Sequence, residues 1–416
     1  MNRRMYLVDG FRTPFCKFGT HLAEEPLTHL GISPTKHLLS TTGLNPEHID
    51  EVVFGCCYQT PVTLGNPART IAVRSGIPEN VPAVTVHRNC ASGLEAVTYA
   101  LDKAAASRGD VFLVGGIESM SQAPFLFSGS AVKKFGNLAK SKTIAHKVKT
   151  LSTFRPADFK PECSLKLGMV DSLCDMNMGQ TAELLAREFN ISRREQDEFA
   201  ERSHLRAIAA SNTLKEEISP FNLTNDDCIR SYKGKTIAED NGPRRDSCVD
   251  KLGKLRTVFD REGTVTAGNA SQVTDGGCAL LLMTKDGLRK TGCTPIAQIV
   301  NYAYSGCDPQ RMGLGPVHAI EKLASDAKFH IQNMDLFEIN EAFAAQVLAC
   351  LKQLDIPAGE LNVNGGAIAL GHPLAATGAR LVLTLAKELR RRDLKNGLAS
   401  LCVGGGQGGA VWIKRV

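Results

Sequence analysis

Residues 90–97 read Cys90-Ala91-Ser92-Gly93-Leu94-Glu95-Ala96-Val97, and residues 376–382 answer them with Ala376-Thr377-Gly378-Ala379-Arg380-Leu381-Val382. The offset from Ala91 to Ala376 is 285 positions, and the same offset carries Ile49-Asp50-Glu51-Val52-Val53-Phe54-Gly55 onto Met334-Asp335-Leu336-Phe337-Glu338-Ile339-Asn340. A third pair, residues 111–116 and 399–405, is displaced by 289 from Gly115 to Gly404, a small insertion. Two matches at one offset, in a chain with no low-complexity tract, point to a diverged internal duplication. Each copy alternates short apolar strands with amphipathic helices, the pattern of α/β layers with mostly parallel pairing. Functional groups are then expected at strand ends and helix starts where the two copies meet.

Cys90 stands at such a place. An alanine-rich, proline-free helical pattern runs from Ala91 to about Ala106. A thiol at a helix N-terminus faces unpaired N–H groups and the positive end of the macrodipole. That setting favours the thiolate and makes a nucleophile. A free cysteine is more often a small buried hydrophobe, so one cysteine decides little. Two later stretches add to it. Asn364-Gly365-Gly366-Ala367-Ile368-Ala369-Leu370-Gly371-His372-Pro373 brings a histidine in a glycine-bounded loop before another alanine-rich helix. Leu401-Cys402-Val403-Gly404-Gly405-Gly406-Gln407-Gly408-Gly409 brings a cysteine at the end of a short strand. Imidazole has the pKa of a base at neutral pH, which a thiol nucleophile needs nearby.

These stretches, with Phe337-Glu338-Ile339-Asn340-Glu341-Ala342-Phe343-Ala344 and Gly263-Thr264-Val265-Thr266-Ala267-Gly268-Asn269-Ala270-Ser271, closely resemble the thiolase family, in order and over nearly the whole chain. The resemblance implies an α/β, thiolase-like fold: two similar βαβ-rich halves stacked in layers, with an inserted loop domain. The first half spans 1–121 and is completed by about 262–293. The loop domain spans 122–261 and covers coenzyme A and the acyl chain. The second half spans 294–416. Within the loop domain one helical segment is expected from Gly179 to Ser211.

By the same resemblance Cys90 is the nucleophile that carries the acyl group, and His372 is the base that activates it. The bond to Pro373 pushes His372 towards an extended conformation. Cys402 is the second acid/base, exchanging a proton at C2 of the acetyl group. A thiol of ordinary pKa, near 8.5, would do so in either direction with little bias. The backbone N–H groups of Cys90 and Gly404 form one oxyanion hole, and His372 with a water held by Asn340 forms the other. Arg244 lies near the nucleotide, Ala267 and Ser271 along the pantetheine, and Met178 and Phe343 at the acyl end. Arg244 also reads as a solvated loop charge. Coenzyme A and acyl-CoA enter as substrates, with no cofactor and no metal. A homodimer or homotetramer is implied.

The reaction implied is thiolytic cleavage of 3-ketoacyl-CoA to acetyl-CoA and a shortened acyl-CoA, or the reverse Claisen condensation. Residues 140–156 and Asp240-Asn241-Gly242-Pro243-Arg244 look like β-subunits of trifunctional β-oxidation complexes, although those often carry His-Glu-Ala-Phe where this chain has Asn340-Glu341-Ala342-Phe343. An acetoacetyl-CoA-forming enzyme is the alternative, and Asn177, where such enzymes often place a histidine before the methionine, speaks against it. Ketoacyl-synthase-type condensing enzymes pair the cysteine with two histidines, so Cys402 disfavours that reading. A non-catalytic acyl-CoA or lipid-binding relative would be expected to have lost Cys90, His372 or Cys402, and all three are present.

Bulk properties set the remaining bounds. At 416 residues the chain exceeds a usual single core. Thirteen cysteines, none in a Cys-x-x-Cys pair, argue against structural zinc and for a reducing compartment, the cytoplasm or a matrix-like space. Adjacent Cys56 and Cys57 read as packing residues, and so does His87. The residues 404–409 match G-x-G-x-x-G, but too little chain follows for a βαβ unit, so no dinucleotide site is expected. No apolar run approaches a membrane span. Neither a secretory leader nor a lipidation signal is read at the ends.

The net charge of +6 is concentrated. Between Ser128 and Met169 nine bases face only Asp158 and Glu162. The chain is therefore not a general nucleic-acid binder but carries one basic element. Ile144, Val148 and Leu151 fall on one helical face among the lysines from Lys133 to Lys149. This element reads either as a solvated helix packed on the loop domain or as a docking surface over 133–151, for an anionic membrane or for an acidic partner such as a hydratase/dehydrogenase subunit.

Overall fold

The computed structural model describes residues 3–60, 65–223 and 234–416. Cys228 and part of the 122–261 segment therefore lie outside the described residues.

Among the described residues nine strands run across one mixed sheet. In spatial order they are Leu336–Ile339, Asn396–Val403, Gln407–Arg415, Ala297–Gly306, Met5–Arg12, Thr274–Thr284, Val111–Ser119, Glu51–Gly55 and Ala83–Val86. The short strand Cys16–Lys17 adds to the side of 274–284. The first four strands belong to the C-terminal copy and the rest to the N-terminal one. The two copies are joined where Met5–Leu7 pairs with Ala297–Ile299. Strand 274–284 sits between 5–12 and 111–119, so the N-terminal half draws a strand from beyond the insertion.

The pairing is not mostly parallel, which corrects the sequence reading. Strand 51–55 runs parallel to 83–86 and 111–119, and 336–339 runs parallel to 396–403. The five other long pairings are antiparallel. Parallel neighbours need a crossover of a dozen or more residues, usually a helix. Only the outer strands of each half have one. The inner strands are reached by hairpins or from distant chain. Strands 396–403 and 407–415 turn over in three glycines, with Gly405 and Gly406 at φ +89° and +73°. That hairpin is the physical reason the residues 404–409 form no dinucleotide motif.

Between the two halves lie helices Ser92–Ala105 and Leu374–Arg391. The second is buried at fourteen of its eighteen positions, so apolar and small residues lie on nearly every side of it. Both helices share one apolar core with strands of both copies, through Leu94, Val97, Val382, Leu385, Val114 and Leu401 among others. Their N-terminal turns touch. A Cβ on Gly93 would stand 2.4 Å from the carbonyl oxygen of Ala375, and one on Gly378 would stand 2.4 Å from the nitrogen of Leu94. These glycines occupy corresponding places in the duplication, so each copy opens the same gap for the other.

The insertion holds helices Gly129–Lys140, Ile144–Leu151, Met178–Glu188 and Arg193–Ala209. The single helix expected over 179–211 is broken at 189–192, where Ser192 and Glu195 form a capping box that starts a new helix. Arg12, fully buried on the first strand, ties the insertion down: its guanidinium donates to Glu217 at 2.6 Å and to both oxygens of Asp240 at 2.6 and 2.8 Å. Among the described residues no helix is long and apolar enough to cross a membrane.

Candidate active site

The turn before helix 92–105 sets the first group. Asn89 adopts φ +43°, a left-handed conformation that Asn tolerates better than most residues. Its Nδ2 donates to the carbonyl of Gly404 at 2.9 Å, fastening the turn to the glycine loop of the other half. Cys90 follows, and its thiol lies in a cavity of about 480 Å³. Burial pushes the thiol up to about 11, against hydrogen bonds from the N–H groups of Gly404 and of Cys90 itself, which pull it down. The sequence reading expected the helix N-terminus to favour the thiolate. Desolvation of the sulfur outweighs the N–H groups here, so Cys90 rests as a thiol.

His372 comes from the C-terminal half, after Gly371 at φ +101° and before Pro373. It is buried, and burial, with the Arg380 charge second, lowers its pKa to about 3. The imidazole is therefore neutral. Its Nδ1 lies 2.7 Å from the Thr377 hydroxyl, which donates in turn to the Pro373 carbonyl at 3.0 Å. A hydroxyl whose proton is committed accepts from its other neighbour, so Nδ1 carries the hydrogen and Nε2 keeps its lone pair. Asn340 Nδ2 lies 3.4 Å from that Nε2, and Asn340 Oδ1 has no protein partner although it is buried. Nothing in the sequence pointed to Thr377. An i+5 threonine on the following helix has no motif of its own.

Cys402 closes the strand 396–403 and is buried in the same cavity. Desolvation, and next to it the proximity of Cys90, raises its thiol well above the ordinary range. The expectation of a thiol of ordinary pKa is corrected: Cys402 holds its proton at neutral pH.

Seven of the sequence-chosen residues, Cys90, His372, Cys402, Gly404, Met178, Phe343 and Ser271, line this one cavity. Asn340 stands behind His372. Phe343 meets Phe259 edge to face at 6.0 Å. Met178 begins helix 178–188, and Asn177 caps that helix in a box with Gln180 rather than lining the cavity. Arg244 and Ala267 line a second cavity of about 350 Å³, with Lys17 and Lys251, and Gln272 forms a wall common to both. Arg244 is largely exposed and pairs with Asp246 at 3.4 Å.

Four other residues shape the site that the sequence reading did not place there. Cys57 lines the main cavity, its Sγ 3.1 Å from the Asn89 carbonyl, so it is not a packing residue as its neighbour Cys56 is. His87 is exposed at the cavity and bonds Asn89 Oδ1 at 3.1 Å, which also corrects a packing reading. Glu118, buried and pushed up to about 7 by burial, accepts from the N–H groups of Tyr58 and Ala375 at 2.9 and 3.0 Å. It thereby joins the first half to the start of helix 374–391. Asp171 accepts from the Gly405 N–H at 2.8 Å, holding the insertion to the glycine loop. No group of three or more His, Cys, Asp or Glu residues suited to a metal occurs among the described residues.

The set comprises a neutral thiol, a neutral imidazole whose Nε2 lone pair lies 3.4 Å from the Asn340 amide nitrogen, a second thiol and N–H groups directed at the first sulfur. It suits nucleophilic attack on a carbonyl with proton exchange alongside. Comparisons with known proteins agree in family. The thiolase N-terminal domain profile matches residues 5–286 and the thiolase C-terminal domain profile matches residues 293–415. An acetyl-CoA acetyltransferase of Cupriavidus necator is 40% identical, over 98% of this chain and 98% of its own. Among solved structures, the Bacillus anthracis acetyl-CoA acetyltransferase superposes with a TM-score of 0.90 at 34% identity, covering all of both chains. Human mitochondrial 3-ketoacyl-CoA thiolase in complex with CoA superposes with a TM-score of 0.88 at 37% identity, over 100% of this chain and 98% of that one.

Proposed function

The chain belongs to the thiolase family of acyltransferases, and we propose that it cleaves 3-ketoacyl-CoA reversibly to acetyl-CoA and a shortened acyl-CoA through an acyl group on Cys90. The observation that carries this reading is the meeting of Cys90, His372 and Cys402 on one cavity, with the thiols protonated and the imidazole neutral.

In the cleavage direction His372 Nε2 takes the Cys90 proton as the sulfur attacks C3 of the substrate. The oxyanion formed there meets the N–H groups of Cys90 and Gly404. The C2–C3 bond then breaks, its electron pair passes to C2, and the Cys402 thiol protonates that carbon to release acetyl-CoA. His372 and Asn340 face the thioester oxygen of the departing enolate. A second coenzyme A enters, gives its thiol proton to the Cys402 thiolate through the same cavity, and attacks the acyl group. The shortened acyl-CoA leaves, and the Cys90 sulfur recovers its proton from His372. Protons and bonds balance over the cycle.

The second cavity, with Lys17, Arg244 and Lys251 at its wall, fits the phosphates of coenzyme A, and Gln272 marks the passage between them. At the other end the insertion contributes Leu165, Met169, Val170 and Leu173 to the main cavity. That apolar wall supports substrates longer than acetoacetyl-CoA.

The test is acylation followed by mass spectrometry, together with kinetics on 3-ketoacyl-CoAs of increasing length. Cys90→Ala should form no adduct and lose at least ~10⁴-fold in activity while folding normally. Cys402→Ala should still be acylated on Cys90 by acyl-CoA but lose roughly 10²–10⁴-fold at the carbon–carbon step. Equal loss of acylation in both variants would overturn the division of labour. A kcat/KM that falls steadily beyond acetoacetyl-CoA would overturn the chain-length reading.

A further inference from the structure

Between strands 396–403 and 407–415 the chain passes Gly404, Gly405 and Gly406, and the shape of that turn decides where the N–H of Gly404 points. That N–H bonds the Cys90 sulfur. Gly406 is pinned by its neighbours. Its carbonyl accepts from the Cys307 N–H at 2.7 Å, and a Cβ on it would stand 2.4 Å from the Cys307 carbonyl oxygen. Gly405 is not packed: a Cβ there would meet nothing within 4 Å. Two adjoining glycines place little restraint on the peptide between them, so something other than packing must hold it.

Two hydrogen bonds do so. The carbonyl of Gly404 accepts from Asn89 Nδ2 at 2.9 Å, and the N–H of Gly405 donates to Asp171 Oδ2 at 2.8 Å. These are the two polar groups of one planar peptide unit, gripped from opposite sides. Asn89 is the residue before Cys90, whereas Asp171 comes from the insertion and is buried. Asp171 Oδ1 accepts from the Leu173 N–H at 2.9 Å. Its own N–H donates to the Met176 carbonyl, and its carbonyl accepts from the Asp175 N–H, both at 2.8 Å. The carboxylate is thus fixed within the turn 171–176. Met169, Val170 and Leu173 around it wall the main cavity, and Leu173 is 69% exposed. One carboxylate joins that apolar wall to the peptide beside the reactive sulfur.

We propose that Asp171 is a positioning residue for the N–H of Gly404, and that it links this donor to the length of the acyl chain lying on the wall. The proposal rests on the acyl-transfer reading above. Asp171 acts through the Gly404–Gly405 peptide. An acyl chain long enough to cover Met169, Val170 and Leu173 takes their surface out of water and steadies the turn. The turn in its place steadies the donor. A short chain leaves the wall uncovered and gains less. An oxyanion donor is effective only where it is already held at the site of developing charge, and small displacements are costly.

Two measurements on Asp171→Asn and Asp171→Ala test this. The first variant keeps the shape but leaves one oxygen for two N–H groups, and the second leaves none. Alkylation of Cys90 by iodoacetamide at pH 8, read by peptide mass spectrometry, needs no acyl substrate. It should slow by about three- to tenfold in Asp171→Asn and further in Asp171→Ala, because the thiolate loses a well-placed N–H. A wall that had merely loosened would admit the reagent faster. Single-turnover acylation of Cys90 by butyryl-CoA, hexanoyl-CoA and decanoyl-CoA is the second measurement. Wild type should acylate faster as the chain lengthens. Asp171→Asn should lose about 10- to 100-fold with decanoyl-CoA and severalfold less with butyryl-CoA, with an unchanged thermal midpoint. Alkylation that is unchanged or faster overturns the positioning role. A loss that is equal at every length overturns the link to the acyl wall. Wild type that no acyl-CoA acylates would refute the acyl-transfer reading itself, and alkylation would still decide whether Asp171 sets the Gly404 N–H.

Discussion

The two helix starts at the centre of the molecule occupy corresponding places in the duplication, and they carry different chemistry. At the offset of 285, His87 corresponds to His372 and Cys90 to Ala375. Each copy thus has a histidine three residues before this pair of corresponding positions, but only the N-terminal copy has the cysteine. His87 is exposed and bonds Asn89, whereas His372 is buried and held by Thr377. One copy supplies the thiol of the cavity and the other its imidazole, and each helix leaves a glycine-sized gap for the first turn of the other. Burial acts on both groups with opposite sign. It raises the acid Cys90 to about 11 and lowers the base His372 to about 3, so the resting pair is neutral.

The sharpest test of that neutral pair is pH. Alkylation of Cys90 follows its thiolate fraction, which rises about tenfold per pH unit until the pKa is reached. With the thiol near 11 the rate should still climb from pH 8 to pH 10, by about a hundredfold. Iodoacetamide labelling read by peptide mass spectrometry checks this, and a plateau below pH 8.5 would mean the helix N-terminus wins over burial.

Removing the hold on the buried histidine should be the next largest effect. Thr377→Val keeps the shape but leaves the Nδ1 hydrogen without an acceptor. A buried donor stranded in this way costs about 1–3 kcal/mol, so kcat should fall by roughly 5- to 150-fold with little change in KM. Thr377→Ser should restore most of the activity, which a purely structural role would not require.

The symmetry of the helix contact predicts matching losses of stability. Gly93→Ala and Gly378→Ala each place a methyl group against backbone of the facing helix, at an expected cost of about 1–3 kcal/mol. Denaturant unfolding of the two variants should give similar values. A loss in one alone would show that the two gaps are not equivalent. At the small end, His87→Ala should change kcat by less than about threefold, within what ordinary surface substitutions do. A loss as large as that of His372→Ala would erase the distinction between the two histidines.

The three groups that meet on the cavity were legible because each is a reactive residue type in an unusual local frame: Cys90 before an alanine-rich helix, His372 between glycine and proline, Cys402 before a glycine run. Their supports were not. Thr377, Glu118 and Asp171 are ordinary polar residues whose partners lie 5, 257 and 234 positions away. The break at 189–192 was also missed, because Phe189 and Ile191 continue an apolar rhythm and only the capping box at Ser192 interrupts it. Cys57 looked like its neighbour Cys56, and only the fold turns one into the core and the other towards the cavity.

The amino-acid sequence by itself determined the duplication, the layered α/β class, the chemical groups and the place of the basic insertion. These follow from local composition, spacing and internal likeness. Tertiary structure alone decided the direction of most strand pairing, since hairpins and long-range returns are chosen by what the helices leave uncovered. It also decided the protonation of the three groups on the cavity. A pKa depends on how much water a group loses and which charges it meets, and for Cys90, His372 and Cys402 those neighbours come from both halves of the chain.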